Sequence, residues 1–98
     1  MAGMVIHTFA FRWKGGVTAE QKGRARVEIL ALQGQIPGLL ETNVGMNFSA
    51  RGAGYEFGGV MKFTDRAALE AYGPSALHQK LLEWLVPLIE AIEVDFEV

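Results

Sequence analysis

Val5-Ile6-His7-Thr8-Phe9-Ala10-Phe11 is the stretch on which the fold turns. Val5, Phe9, Phe11 and Trp13 share one parity, while Met4, Ile6 and Ala10 occupy the other. Side chains alternate across a strand, so a strand over about Met4 to Lys14 is apolar on both faces and needs cover on both. At the far end, Ile92, Val94, Phe96 and Val98 alternate with Glu93, Asp95 and Glu97. That spacing predicts a strand with one wet face. Alternation returns between Leu39 and Phe48, with Leu40, Thr42, Val44, Met46 and Phe48 against Glu41, Asn43, Gly45 and Asn47. Ser49-Ala50-Arg51-Gly52-Ala53-Gly54 reads as a hairpin loop leading into a partner strand, Tyr55 to Phe63.

Helical spacing fills the gaps. Thr18 with Gln21 three residues later forms a capping box, and Ala25, Ile29, Leu32 and Ile36 then make one apolar stripe ending near Pro37-Gly38. A second region opens at Thr64-Asp65, runs through Ala67, Ala68, Leu69 and Ala71, and breaks at Gly73-Pro74. Ser75 caps a new start, and Leu77, Leu81, Leu82 and Leu85 continue the stripe until Pro87 removes a backbone donor. The order strand, helix, strand, strand, helix, strand is the split βαββαβ arrangement of ferredoxin-like α+β domains, with helices on one face of a four-stranded antiparallel sheet. The other face still needs cover, so two sheets are expected to pack face to face in a homodimer.

Composition narrows the function classes. At 98 residues the chain reads as a single domain, residues 1–98, with no linker or change of composition to divide it. It has no cysteine, which excludes disulfides, thiolate metal sites and thiol catalysis, and no apolar run long enough to span a membrane. Nothing at the start resembles a signal peptide, Gly3 is misplaced for myristoylation, and a cytoplasmic setting is expected. Nine Lys and Arg against eleven Asp and Glu, without a basic cluster, give no footprint of a nucleic-acid binder.

His7 and His78 are the only two histidines, and each interrupts an apolar pattern. His78 lies in the first turn of its helix, six residues after Tyr72. An imidazole exchanges protons near neutral pH, so a His and a Tyr sharing a folded pocket are the natural candidates for chemistry. The plainer alternatives are that His78 ties the preceding loop to the helix start and that His7 is a satisfied core or interface residue. Glu93, Asp95 and Glu97 read as a charged edge in preference to a cation site, and Phe9, Phe11 and Trp13 as core aromatics in preference to a haem pocket. Gly52-Ala53-Gly54 leads into a strand and lacks the helix N-terminus of a phosphate loop. No local spacing supports a metal site, and no cofactor is called for.

Taken together, Val5-Ile6-His7-Thr8-Phe9, Gly15-Gly16-Val17-Thr18-Ala19-Glu20-Gln21-Lys22, Gln35-Ile36-Pro37-Gly38-Leu39, Gly52-Ala53-Gly54-Tyr55, and Leu69-Glu70-Ala71-Tyr72 followed by His78-Gln79 resemble the stress-responsive A/B barrel (Dabb) family. The ending Val94-Asp95-Phe96-Glu97-Val98 is similar too. The resemblance implies a dimeric α+β barrel. It does not imply one activity, since members include stress-associated proteins and a plant polyketide cyclase that closes a ring by aldol condensation. By that resemblance Tyr72 and His78 match the working groups of the cyclase and His7 matches its first-strand histidine, while Phe57 stands where the cyclase has another histidine. Ser75 likewise replaces the first histidine of the frequent His-Pro-Ala-His motif.

Three function classes follow. In the first, a cavity between sheet and helices binds a small apolar or aromatic molecule, with His7, Phe9, Phe57, Tyr72 and His78 as candidate ligand contacts. In the second, the same cavity performs cofactor-free proton transfer, as a cyclase or oxygenase, with His78 as base and Tyr72 as hydrogen-bond donor. In the third, the protein acts only as a stable oligomer.

Overall fold

The computed structural model describes residues 3–98. Strand β1 (Val5–Trp13) leads through helix α1 (Ala19–Leu30) to β2 (Leu39–Met46) and β3 (Phe57–Phe63). Helices α2 (Arg66–Tyr72) and α3 (Ala76–Leu85), a 3-10 turn (Val86–Leu88) and β4 (Ile89–Glu97) complete the chain. The strands form one antiparallel sheet in the order β2-β3-β1-β4, which is the ferredoxin-like arrangement. No helix is long and apolar enough to cross a membrane among the described residues.

Local chemistry accounts for the helix boundaries. Thr18 and Gln21 exchange both bonds of the capping box at the start of α1. Asp65 accepts from the Ala68 amide to cap α2, and Ser75 accepts from the His78 amide to cap α3. Pro87 sits inside the 3-10 turn, where the missing amide does least harm. The apolar stripe expected to run helically to Ile36 outlasts its helix: α1 stops at Leu30, and Leu32 and Gln33 donate to carbonyls only three residues back. Leu32 and Ile36 are nevertheless buried, delivered by turns instead of helix.

Cross-strand register decides which parity faces which layer. His7 pairs with Met61 of β3, and Phe9 and Phe11 pair with Gly59 and Phe57. All these odd positions of β1 and β3 face the helices, and with Val5 and Phe63 they form the floor of the core. Gly59 is required there, because a Cβ would come within 2.1 Å of the Phe9 ring lying across it. Strand β2 begins with a bulge between Leu39 and Glu41. Leu39 is therefore buried and Leu40 exposed, reversing the expected parity of Leu40. The same strand ends at Met46, two residues short of the expected Phe48, which is fully solvent-exposed beyond it.

The largest departure from expectation is at β4. Glu93, Asp95 and Glu97 pair with Phe9, His7 and Val5, so the acidic side of this edge strand is the helix side. Ile92, Val94 and Phe96 pair with Ala10, Thr8 and Ile6, and lie on the opposite face, which none of the described residues covers. Val60 joins them there, with the pairs Arg12–Glu90 (3.2 Å) and Lys62–Glu41 (3.3 Å) toward the two edges. The sheet thus has a helix-covered face and an open apolar one.

Candidate functional site

A cavity of about 120 Å³ lies between the helix-side face of the sheet and α3. Phe9, Phe11 and Met61 form its floor, and Leu81, Leu82 and Leu85 close it from above. Four groups that can ionise or hydrogen-bond through their side chains also line it: His7, Tyr72, His78 and Glu93. A larger hollow, about 500 Å³, runs along β2 and β3 past Asn43, Gly45 and Val60, but no histidine or carboxylate lines it. The smaller cavity is the one that both histidines line.

Each histidine is held by its Nδ1. The His78 ring donates from Nδ1 to the Gly73 carbonyl at 2.7 Å, beside a 2.9 Å bond from Gln79 Nε2 to the same oxygen. A carbonyl oxygen only accepts, so Nδ1 carries the hydrogen and the neutral ring keeps its lone pair on Nε2. His7 is 7% exposed and donates from Nδ1 to the Asp95 carboxylate, its cross-strand partner on β4. The same reasoning leaves the lone pair of its neutral ring on Nε2. Tying the loop and serving a site are therefore compatible roles for His78, because different nitrogens perform them.

Tyr72 ends α2 with its ring packed on Phe63 at 5.5 Å and on the His78 ring at 4.2 Å between centroids. The Tyr72 and His78 rings pack at a tilt of 35° and do not hydrogen-bond to each other. The Tyr72 hydroxyl and both Nε2 atoms have no hydrogen-bond partner among the described residues. Yet the sealed and unpartnered side-chain atoms there are only Arg12 Nε, which lies near Glu90 without hydrogen-bonding alignment, and Thr42 Oγ1. The Tyr72, His7 and His78 atoms consequently remain open to the cavity they line.

Burial, and behind it the charge of Glu93, hold the Tyr72 phenol well above its ordinary value of 10.0. Tyr72 is a donor here and not a base. The sign of the pH effect follows: the unfolded chain releases this proton near pH 10, while the folded protein keeps it to higher pH. Stability is expected to be unaffected by Tyr72 below that point and to fall above it by about 1.4 kcal/mol per pH unit. Urea denaturation at pH 9 to 11 checks this, and Tyr72→Phe should flatten the decline; an identical decline in the variant would remove Tyr72 as its source.

The structure brings His7, Phe9, Tyr72 and His78 to one cavity. Phe57 is not among its walls: it stacks behind Phe11 at 5.6 Å, meets Trp13 at 6.0 Å and lines the larger hollow along β2 and β3 instead. Sequence reasoning weighed Glu93 and Asp95 only as a charged edge or a cation site, and placed neither beside His7 or the cavity. Their alternating pattern was visible, but only pairing of β4 beside β1 turns it toward His7. Instead of converging on a cation, Glu93 lines the cavity, Asp95 holds His7 and Glu97 lies 3.2 Å from Arg66.

Comparison with known proteins bears on this architecture. Residues 5–98 match the family model of the Stress Responsive A/B Barrel Domain. A dimeric ferredoxin-like protein of unknown function from Jannaschia sp. is 30% identical, with 98% of this chain and 100% of that one covered and a TM-score of 0.85. A Dabb-family protein of ferredoxin-like fold from Mesorhizobium loti is 26% identical over 98% of this chain and 97% of its own, with a TM-score of 0.83. A hydroxynitrile lyase from Passiflora edulis shares the fold at a TM-score of 0.91, with 16% identity over 100% of this chain and 95% of that one. No curated protein sequence matches. With nearly its whole length covered by the family model, the chain belongs to the stress responsive A/B barrel domain family.

Proposed function

We propose that the protein is a homodimer, joined through its open sheet faces, in which each protomer's cavity binds a small apolar or aromatic molecule. One observation carries the binding reading: an apolar cavity of about 120 Å³ into which three polar atoms of buried or half-buried residues are left unpartnered. Apolar walls with a few convergent polar groups are the usual make-up of a ligand site. An engineered apolar cavity of about 150 Å³ takes up benzene, so the volume here suits a single ring. The dimer reading rests on the half-exposed row Ile92, Val94 and Phe96, and on the dimeric state of the Jannaschia protein. Indole and toluene titrated into the labelled protein should shift the methyl resonances of Leu81 and Leu85 and the ring resonances of Tyr72. Absence of saturable shifts at these residues for both probes would remove the binding reading.

The same atoms favour a second reading, cofactor-free proton transfer. Neutral His78 offers Nε2 as a base beside a phenol that stays protonated, so a substrate carbonyl held by Tyr72 could lose an adjacent proton to His78. His7, oriented by Asp95, would position the substrate or a water. Cyclisation by aldol condensation belongs to this class of chemistry. A purely structural oligomer would be better served by a filled interior, and the cavity argues against that third reading.

A further inference from the structure

We infer that the cavity selects uncharged, hydrogen-bond-donating aromatic molecules of about one ring, the phenol class, and rejects carboxylates and phosphates of the same shape. This inference rests on the binding reading above and specifies its ligand.

The argument is a count of charge and of hydrogen-bonding sense around the walls. Among the described residues no Lys or Arg lines the cavity, and its ionisable groups are His7, Tyr72, His78 and Glu93, with Asp95 bonded directly behind His7. With both carboxylates ionised, protons on both rings are offset in number by Asp95 and Glu93, so the wall reaches neutrality at most. An anion entering it would surrender its hydration with no cation to replace it. Arg66, the cation beside Asp95 at the outer end of β4, is engaged with Glu97 and lines a separate surface hollow.

The hydrogen-bonding sense points the same way. With neutral rings, His7 Nε2 and His78 Nε2 accept, the Glu93 carboxylate accepts, and Tyr72 alone donates. Three acceptors facing one donor are matched by a ligand that brings its own O–H. A hydrocarbon leaves them all unmatched, and a carboxylate brings further acceptors to a wall that already has an excess of them. Glu93 is exposed on β4, so it meets a ligand where the cavity opens to solvent and acts as the charge filter.

Phenol, toluene and benzoate share nearly one shape and separate these terms. Titrated into the intact protein at neutral pH and followed by shifts at Tyr72 and Leu85, phenol should bind at least about fivefold more tightly than toluene, the worth of one or two net hydrogen bonds. Benzoate should give no saturable shift, and Glu93→Gln should bring it into the measurable range. Equal affinity of phenol and toluene, or benzoate binding to the unsubstituted protein, would overturn the selectivity while the binding reading stood. Failure of all three probes would overturn the binding reading itself, and this inference with it.

Discussion

Replacing Val94 by Asp is expected to yield a folded monomer, with self-association weakened by a few hundredfold to several thousandfold. Val94 is 57% exposed in the protomer and lies on the open face between Ile92 and Phe96. A carboxylate there is hydrated in the monomer and costs little. Sealed between two sheets it would be an uncompensated buried charge, which costs about 3–5 kcal/mol. The two-fold symmetry expected of such a dimer would introduce it from both copies. Phe11→Asp makes the opposite test on the other face. Phe11 is 7% exposed, stacked on Phe9 at 5.2 Å and on Phe57 at 5.6 Å, so a charge at that site is expected to abolish folding. Sedimentation equilibrium with circular dichroism distinguishes the cases. A Val94→Asp variant that stays dimeric at the concentrations where the parent does would sink the sheet-face interface.

The second large effect is expected at His78. His78→Asn keeps a side-chain N–H that can reach the Gly73 carbonyl, so the loop tie survives while the Nε2 lone pair is lost. His78→Ala loses both. If Nε2 acts as a base, both variants should fall about a hundred- to ten-thousand-fold in rate on any substrate the protein turns over. If it serves binding alone, both should weaken a phenol-class ligand by about five- to a hundredfold, the worth of a buried contact of about 1–3 kcal/mol. Thermal unfolding isolates the anchoring role, since only His78→Ala should lower the midpoint appreciably. An Asn variant that binds phenol like the parent would leave His78 as an anchor and nothing more.

The lock on Nδ1 explains why these experiments can be separated at all. A histidine that used one nitrogen for both structure and ligand would confound stability with affinity. Here the loop carbonyl of Gly73 and the carboxylate of Asp95 each engage Nδ1, and the cavity is left with Nε2 twice over.

By itself the sequence determined the order and type of the elements and their caps, because these depend on local periodicity and on short-range hydrogen bonds. The Thr18–Gln21 box, the Ser75 cap and the break at Gly73-Pro74 were all readable at a separation of a few residues. The same patterns named His7, Tyr72 and His78 as candidates. Only the tertiary structure decided which side of each strand met the helices. Period two divides a strand into two faces but assigns neither, and the assignment needs cross-strand register and the placement of the helix layer. Hence the acidic side of β4 turned out to be the cavity side, its apolar side the open one, and Asp95 the partner of His7 from 88 residues away. The bulge at Leu40 shifted a parity that the sequence pattern left unbroken, and the stacking of Phe57 behind Phe11 removed it from the cavity. Each of these outcomes is set by contacts between elements distant in sequence, which local spacing does not encode.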